Sequence, residues 1–162
     1  MTQARVITVS DRSAAGERED TSGPLLAAAL AHQGYSVDTD LVADGAASVT
    51  AALMRARGIG ARLIVTTGGT GVGPRDQTPE GTAVILDREL PGVAEALRIR
   101  GAESTGHAWL SRGIAGVVDA HGDQPGSLIV NLAGSPGAAR DGAAVLAELA
   151  PHILDQLAGA DH

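Results

Sequence analysis

The sequence predicts an α/β fold, a three-layer α/β/α sandwich around a mainly parallel sheet. Three observations predict it: short apolar, β-branched runs recur along the chain, helical patterns separate them, and glycine or proline marks the junctions. Runs that are apolar throughout, not alternately, suit a parallel sheet covered on both faces.

The first run, residues 5–9, is followed by a helix that starts near Ser22. That helix has Pro24 at an early position, Leu25, Leu26 and Leu30 on one face, and Gly34 at its end. A strand over residues 35–42 and a helix over residues 47–57, stopped by Gly58, come next. The third strand, residues 62–67, runs into the glycine-rich residues 68–74. Thr78, Pro79 and Glu80 then open a helix through about residue 86, and Pro91 opens another through about residue 100. Residues 114–118 read as a short strand and residues 119–126 as a turn-rich loop; no function is legible in residues 101–126. A strand over residues 127–132 precedes the last helix, which opens at Ser135 and Pro136, carries Val145, Leu146, Leu149, Ile153, Leu154 and Leu157, and ends near Gly159. Pro151 falls inside it and removes one backbone donor.

At 162 residues and 16.2 kDa, residues 1–162 suit one globular domain. The 30 Ala and 22 Gly, with no Phe and a single Trp and Tyr, call for an aliphatic core closed through small residues. All 12 basic residues are Arg, which excludes Schiff-base chemistry and any P-loop that needs its lysine. The absence of Cys excludes thiol catalysis, disulfides and iron–sulfur ligation. A net charge of −7 with 1% aromatic residues is a poor match to nucleic acid. No apolar run approaches the roughly 18 residues of a membrane span, and Met1 leads into the first strand without a signal-type segment. The expectation is a cytoplasmic protein with neither nucleic acid nor membrane as a partner.

In open parallel sheets ligands bind outside the carboxyl ends of the strands. Those ends read Ser10-Asp11, Asp44-Gly45 and residues 68–76. With the first strand between the second and third, the outer two lie about 10 Å apart, so their loops can bring Asp44 and Asp76 to one cation. Mg²⁺ takes one or two protein carboxylates and leaves its other positions to water and substrate phosphates. Taken singly, Asp44 is also an ordinary turn residue and Asp76 an ordinary helix-entry charge. Gly68, Gly69, Thr70 and Gly71 expose consecutive N–H groups as an anion nest, although no Walker lysine follows. Arg75 suits either a phosphate or a surface pairing with Asp76 or Glu80. Ser135 and Pro136 open a helix whose N-terminus favours an anion, or form an ordinary cap. The five His show no metal-ligand spacing, His107 reads as a packing or surface residue, and Arg98 and Arg100 lie on a helix with Glu95, as a solvated face or with one of them available to an anionic substrate.

Val9-Ser10-Asp11-Arg12, Thr66-Thr67-Gly68-Gly69-Thr70-Gly71, Arg75-Asp76-Gln77-Thr78-Pro79-Glu80, Leu110-Ser111-Arg112 and residues 131–136 together resemble the MogA/MoaB family of molybdenum-cofactor biosynthesis, across almost the whole chain. The same kind of domain occurs within gephyrin. The resemblance implies an α/β/α domain that assembles as a homotrimer, joins AMP from Mg-ATP to the phosphate of molybdopterin with release of pyrophosphate, and hands its product to a molybdenum-insertion protein. It matches the family's two magnesium-associated aspartates to Asp44 and Asp76, and its phosphate-binding segment to Gly68, Gly69, Thr70 and Gly71. Ser10, Asp11, Ser111, Ser135 and Pro136 match motif positions near the cleft, and Arg75 stands in the matched segment. Ala133 departs from the family pattern, which has proline there. Two other readings share these residues: a molybdopterin carrier without catalysis, and a trimeric scaffold for a protein partner. Retention of both Asp44 and Asp76 argues for the enzyme.

Overall fold

The computed structural model describes residues 1–160. Its frame is one six-stranded sheet of β1 (Gln3–Val9), β2 (Ser36–Val42), β3 (Leu63–Thr67), β4 (Arg88–Glu89), β5 (Ala115–Val118) and β6 (Ser127–Leu132), in the order β2-β1-β3-β6-β5-β4. β2, β1, β3 and β6 are mutually parallel, while β5 runs antiparallel to β6 and β4 to β5. The helices are α1 (Asp11–Ala14), α2 (Ser22–His32), α3 (Ala46–Gly58), α4 (Thr78–Ala83), α5 (Pro91–Ala102) and α6 (Pro136–Leu157), with a 3-10 turn at Gly106–Leu110.

Alternation along each strand divides the core between the two faces of the sheet. Ala4, Val6, Leu63, Val65, Leu128 and Val130 point to one side, where they meet Leu26 and Leu30 of α2, Val93 of α5 and Leu146 of α6. Ile7, Val9, Ile64 and Ile129 point to the other and meet Val49 and Leu53 of α3. All five residues of β3 and all six of β6 are buried; residues 63–65 and 128–130 are continuously apolar, and the buried Thr66, Thr67, Ser127 and Asn131 at the strand ends are hydrogen-bonded. Small residues let the layers approach: a Cβ at Gly142 of α6 would lie 2.4 Å from Leu132. This is the three-layer sandwich that the sequence predicts, with β1 between β2 and β3 as expected.

Three elements are shorter than pattern reading can resolve. α1 is a single turn, nucleated because the Ser10 hydroxyl accepts the Ser13 N–H at 3.2 Å. α4 ends at Ala83, not near residue 86, because the chain turns so that the Asp87 N–H donates to the Val117 carbonyl and β4 adds two residues to the sheet edge. Residues 101–126 supply the 3-10 turn, β5 and a bridge between His121 and Gln124. Pro151 is exposed within α6, which stays one helix of 22 residues.

No helix among the described residues is long and apolar enough to cross a membrane.

Candidate active site

The parallel strands deliver their following loops to one edge of the sheet. In register, Val9 of β1 pairs with Val42 of β2, and Thr8 with Thr67 of β3. Asp11 and Asp44 therefore leave adjacent strand ends and tie them reciprocally. The Asp11 N–H donates to Asp44 Oδ2 at 2.8 Å and the Asp44 N–H to Asp11 Oδ1 at 3.1 Å.

The glycine loop enters beside this pair. Gly68 has φ +107°, and a Cβ there would lie 2.2 Å from the Val9 carbonyl oxygen, so only glycine fits. Gly69, with φ +68°, passes close over Thr78 and Asp44; its own Cβ would lie 2.2 Å from Thr78 Oγ1 and 3.2 Å from Asp44 Oδ1. Below it, Thr78 Oγ1 donates to the Gly68 carbonyl at 2.9 Å. Asn131 of β6 donates to Thr66 Oγ1 and Thr82 Oγ1, both at 3.0 Å, and accepts the Ile114 N–H. That buried network is satisfied at each polar atom of the Asn131 side chain, so the floor under the loop is fixed.

Two arginines hold the loop from its two sides. Arg75 donates to both oxygens of Asp11, at 3.0 and 3.1 Å, and to the Asp44 carbonyl at 2.9 Å. Its planar fork is thus occupied by Asp11, not by Asp76 or Glu80, the surface partners considered from the sequence. Arg112 donates to the carbonyls of Gly71 at 2.8 Å and Asp76 at 2.6 Å and pairs with Glu80. The Arg75 guanidinium holds the Asp11 carboxyl below the usual carboxylate range, and Arg112 does the same for Glu80.

Both carboxylates bind protons less readily in the folded chain than in the unfolded one, so the stabilisation they bring is present above the unfolded value of about 4 and is lost as pH falls through their lower folded values. Loop amide protection over residues 71–77, corrected for intrinsic exchange, is accordingly expected to fall on acidification below pH ~4. The doubly neutralised Asp11→Asn, Glu80→Gln protein should show reduced protection already at neutral pH and little further acid response. Equal acid responses in the two proteins would count against the arginine clasps.

Two cavities adjoin at this edge and share Gly68, Gly69, Asp76 and Gly134. The larger, about 420 Å³, runs between α5 and α6 and is mostly apolar; Thr70, Gly71, Ser111 and Ser135 also line it. The smaller, about 190 Å³, is polar and is walled by Ser10, Asp44 and the segment from Arg18 to Ser22. Most of the residues singled out from the sequence therefore face one double cleft. Asp11, Arg75 and Pro136 line neither cavity: the first two brace the strand ends, and Pro136 is the first residue of α6. The Ser135 hydroxyl accepts the Ala138 N–H at 3.1 Å as an ordinary cap while remaining on the cavity wall.

Asp44 and Asp76 suit a hard cation. Asp44 Oδ2 is taken by the Asp11 N–H and Asp76 Oδ2 by the Gly73 N–H at 3.0 Å, while Oδ1 of each has no hydrogen bond among the described residues. No group of three or more His, Cys, Asp or Glu among the described residues makes a metal cage. Two carboxylates on a shared phosphate-sized cleft are the donor set that Mg²⁺ accepts when substrate and water complete its shell.

Several participants escaped pattern reading. Arg98 does not join Arg100 on a solvated face: it is half-buried on the larger cavity, where its NH1 donates to the Ser111 and Gly113 carbonyls at 3.2 and 3.1 Å. Arg100 is exposed and pairs with Glu103 and Asp141. His107 is exposed at the cavity rim. Asp20, on the smaller cavity, accepts the Thr8 hydroxyl at 2.6 Å and the Gly23 N–H at 3.0 Å. Its local signal was an Asp three residues before Gly23, the spacing of a capping turn. Asp141 also lines the larger cavity.

The family described as a probable molybdopterin binding domain matches residues 5–152. A molybdenum cofactor biosynthesis bifunctional protein of Synechococcus elongatus is 45% identical over 160 residues, covering 98% of this chain and 48% of the relative. The chain thus spans about half the length of that relative. A molybdopterin adenylyltransferase of Pyrococcus furiosus is 39% identical over 150 residues, covering 92% of this chain and 87% of the relative. Among solved structures, the molybdopterin biosynthesis Mog protein of Mycobacterium ulcerans superposes with a TM-score of 0.87 at 42% identity, over 97% of this chain and 99% of that one.

Proposed function

This chain belongs to the family of probable molybdopterin-binding domains, and we propose that it adenylylates molybdopterin, joining AMP from Mg-ATP to the pterin's phosphate and releasing pyrophosphate. The observation that carries the reading is the double cleft: two cavities of different polarity that share the glycine loop and Asp76. The larger, apolar cavity suits a flat pterin, and the smaller, polar one suits a nucleotide phosphate chain. Their common rim is where the two phosphates meet.

A molybdopterin phosphate oxygen forms a bond to the α-phosphorus of ATP while the α–β bridging bond breaks and pyrophosphate leaves. The attacking oxygen is already anionic, so no strong general base is needed, consistent with a chain without Lys or Cys. The barrier is charge repulsion together with alignment. The Gly68 N–H is taken by the Leu132 carbonyl at 3.0 Å, which leaves the N–H groups of Gly69, Thr70 and Gly71 to meet the phosphates, and Asp44 and Asp76 are the residues that would hold Mg²⁺. When bound, the cation neutralises phosphate charge and orients the triphosphate. Arg75 and Arg112 keep both carboxylate loops in place through Asp11 and main-chain carbonyls.

The test is pyrophosphate release from Mg-ATP by the purified protein, with and without molybdopterin. Release that depends on the pterin is the expected result; pterin binding without release would make the chain a carrier built on the same cleft. A homotrimer, a cytoplasmic location and hand-over to a molybdenum-insertion protein belong to the same proposal. Sedimentation checks the first of these.

A further inference from the structure

Two carboxylates line the larger cavity, and only one of them stands at the phosphate end. Asp76 sits on the glycine loop. Asp141 stands on α6, six residues beyond its cap Ser135 and therefore about 9 Å along the helix axis from it. The Asp141 side chain is 24% exposed. Its Oδ1 forms an ion pair with Arg100 Nε at 3.7 Å, and no hydrogen bond or ion pair to its Oδ2 is found among the described residues. Among the polar groups that share the cavity, Arg98 NH1 donates to two carbonyls, Asn131 belongs to the floor network, and the Ser111 hydroxyl donates to Thr70.

A carboxylate with an open oxygen on the wall of a mostly apolar cavity asks for a donor from the ligand. The pyrimidine edge of any pterin, a 2-amino-4-oxo ring, presents two neighbouring N–H donors, from the amino group and from N3. That pair fits the two oxygens of one carboxylate, as an arginine fork does. With the phosphate held at the glycine loop, the pyrimidine edge lies at the far end of the ligand, toward Asp141. We propose that Asp141 is the specificity-determining residue for the pterin head, reading its amino and N3 hydrogens as a bidentate acceptor. This rests on the larger cavity taking the pterin. A carboxylate in the second turn of α6 also complements the helix dipole, but that role carries no preference among ring systems.

The experiment measures binding, without turnover. Molybdopterin affinity is titrated on the full-length wild type, Asp141→Asn and Asp141→Leu, with Mg-ATP affinity as the control for an intact fold. Competition then compares 6-hydroxymethylpterin with 6-hydroxymethyllumazine, in which a carbonyl replaces the amino group. Wild type is expected to prefer the pterin. Asp141→Asn, whose amide can donate to that carbonyl while its oxygen accepts from N3, should shift the pterin-to-lumazine ratio by roughly 10-fold or more toward lumazine. Both variants should lose roughly 10-fold in molybdopterin affinity while keeping their Mg-ATP affinity. An unchanged ratio and affinity in Asp141→Asn overturns the assignment. Failure of the wild type to bind molybdopterin at all removes the proposed function itself, a different result seen in a different protein.

Discussion

Asp76→Asn is expected to lower pterin-dependent pyrophosphate release by roughly 100-fold or more, the scale on which a lost electrostatic contact to a transferring phosphoryl group is felt. Thermal stability should change little. The amide keeps an oxygen to accept the Gly73 N–H, and the side chain stands on a loop, not in either half of the core. Arg112 holds the Asp76 main chain through its carbonyl, so the loop keeps its path when the carboxylate is neutralised. Asp44→Asn should fall on the same scale in turnover but cost slightly more in stability: its amide oxygen can still accept the Asp11 N–H, but the negative charge beside the Arg75 guanidinium is lost. Pyrophosphate release and a melting curve for each variant check both statements. An Asp76→Asn protein that unfolds would show its carboxylate to be a structural tie and remove the main support for its catalytic role.

Gly68→Ala is expected to lose stability on the order of 3 kcal/mol, the largest loss foreseen for any single methyl group here. Two costs combine: a left-handed φ of +107° and a Cβ placed 2.2 Å from a main-chain oxygen of β1 that cannot swing away. Gly92, in the first turn of α5, meets nothing within 4 Å, and Gly92→Ala should leave stability unchanged or raise it by roughly 0.5 kcal/mol. Urea midpoints of the two variants settle the comparison. Equal midpoints would mean that β1 and the glycine loop are not in the close contact described.

Much of this was legible before any coordinates. β3 and β6 announce themselves because a strand buried on both faces carries a continuous apolar run, here residues 63–65 and 128–130. Gly34, Gly58, Pro79 and Pro91 announce helix ends because their backbone chemistry is local. Asp44 and Asp76 were legible through topology: once the sheet is parallel, strand ends gather at one edge, and acids just past them meet. The remainder consists of pairings with no local trace. Arg75 and Asp11 are 64 residues apart, and Arg112 is 41 residues from the Gly71 carbonyl that it holds. Nothing in the immediate sequence of an arginine records which distant oxygen will receive its fork. Arg98 was misplaced for a related reason. Residues 101–126 carry no strong periodicity, and it is the wall they build, with the Ser111 and Gly113 carbonyls, that turns that face of α5 inward.

The direction of the last helix has a consequence for how the chain can be joined to others. α6 runs back along the sheet from the cleft, so that Leu154 receives the Arg62 guanidinium and Leu157 lies near Gly126, at the entry to β6. The first strand begins at that same edge, where the Thr2 carbonyl accepts the Ser36 N–H. Both points of attachment therefore face away from the cleft, and a neighbour fused at either one would leave its mouth open. Such a neighbour would also start on the side of the sheet opposite the cleft. A tether would have to climb the height of the sheet, about 20 Å for the seven residues of β1, which takes about six extended residues before any turn is made. The length of a connecting segment, more than its sequence, would then decide whether a joined neighbour reaches the cleft of its own chain or that of another.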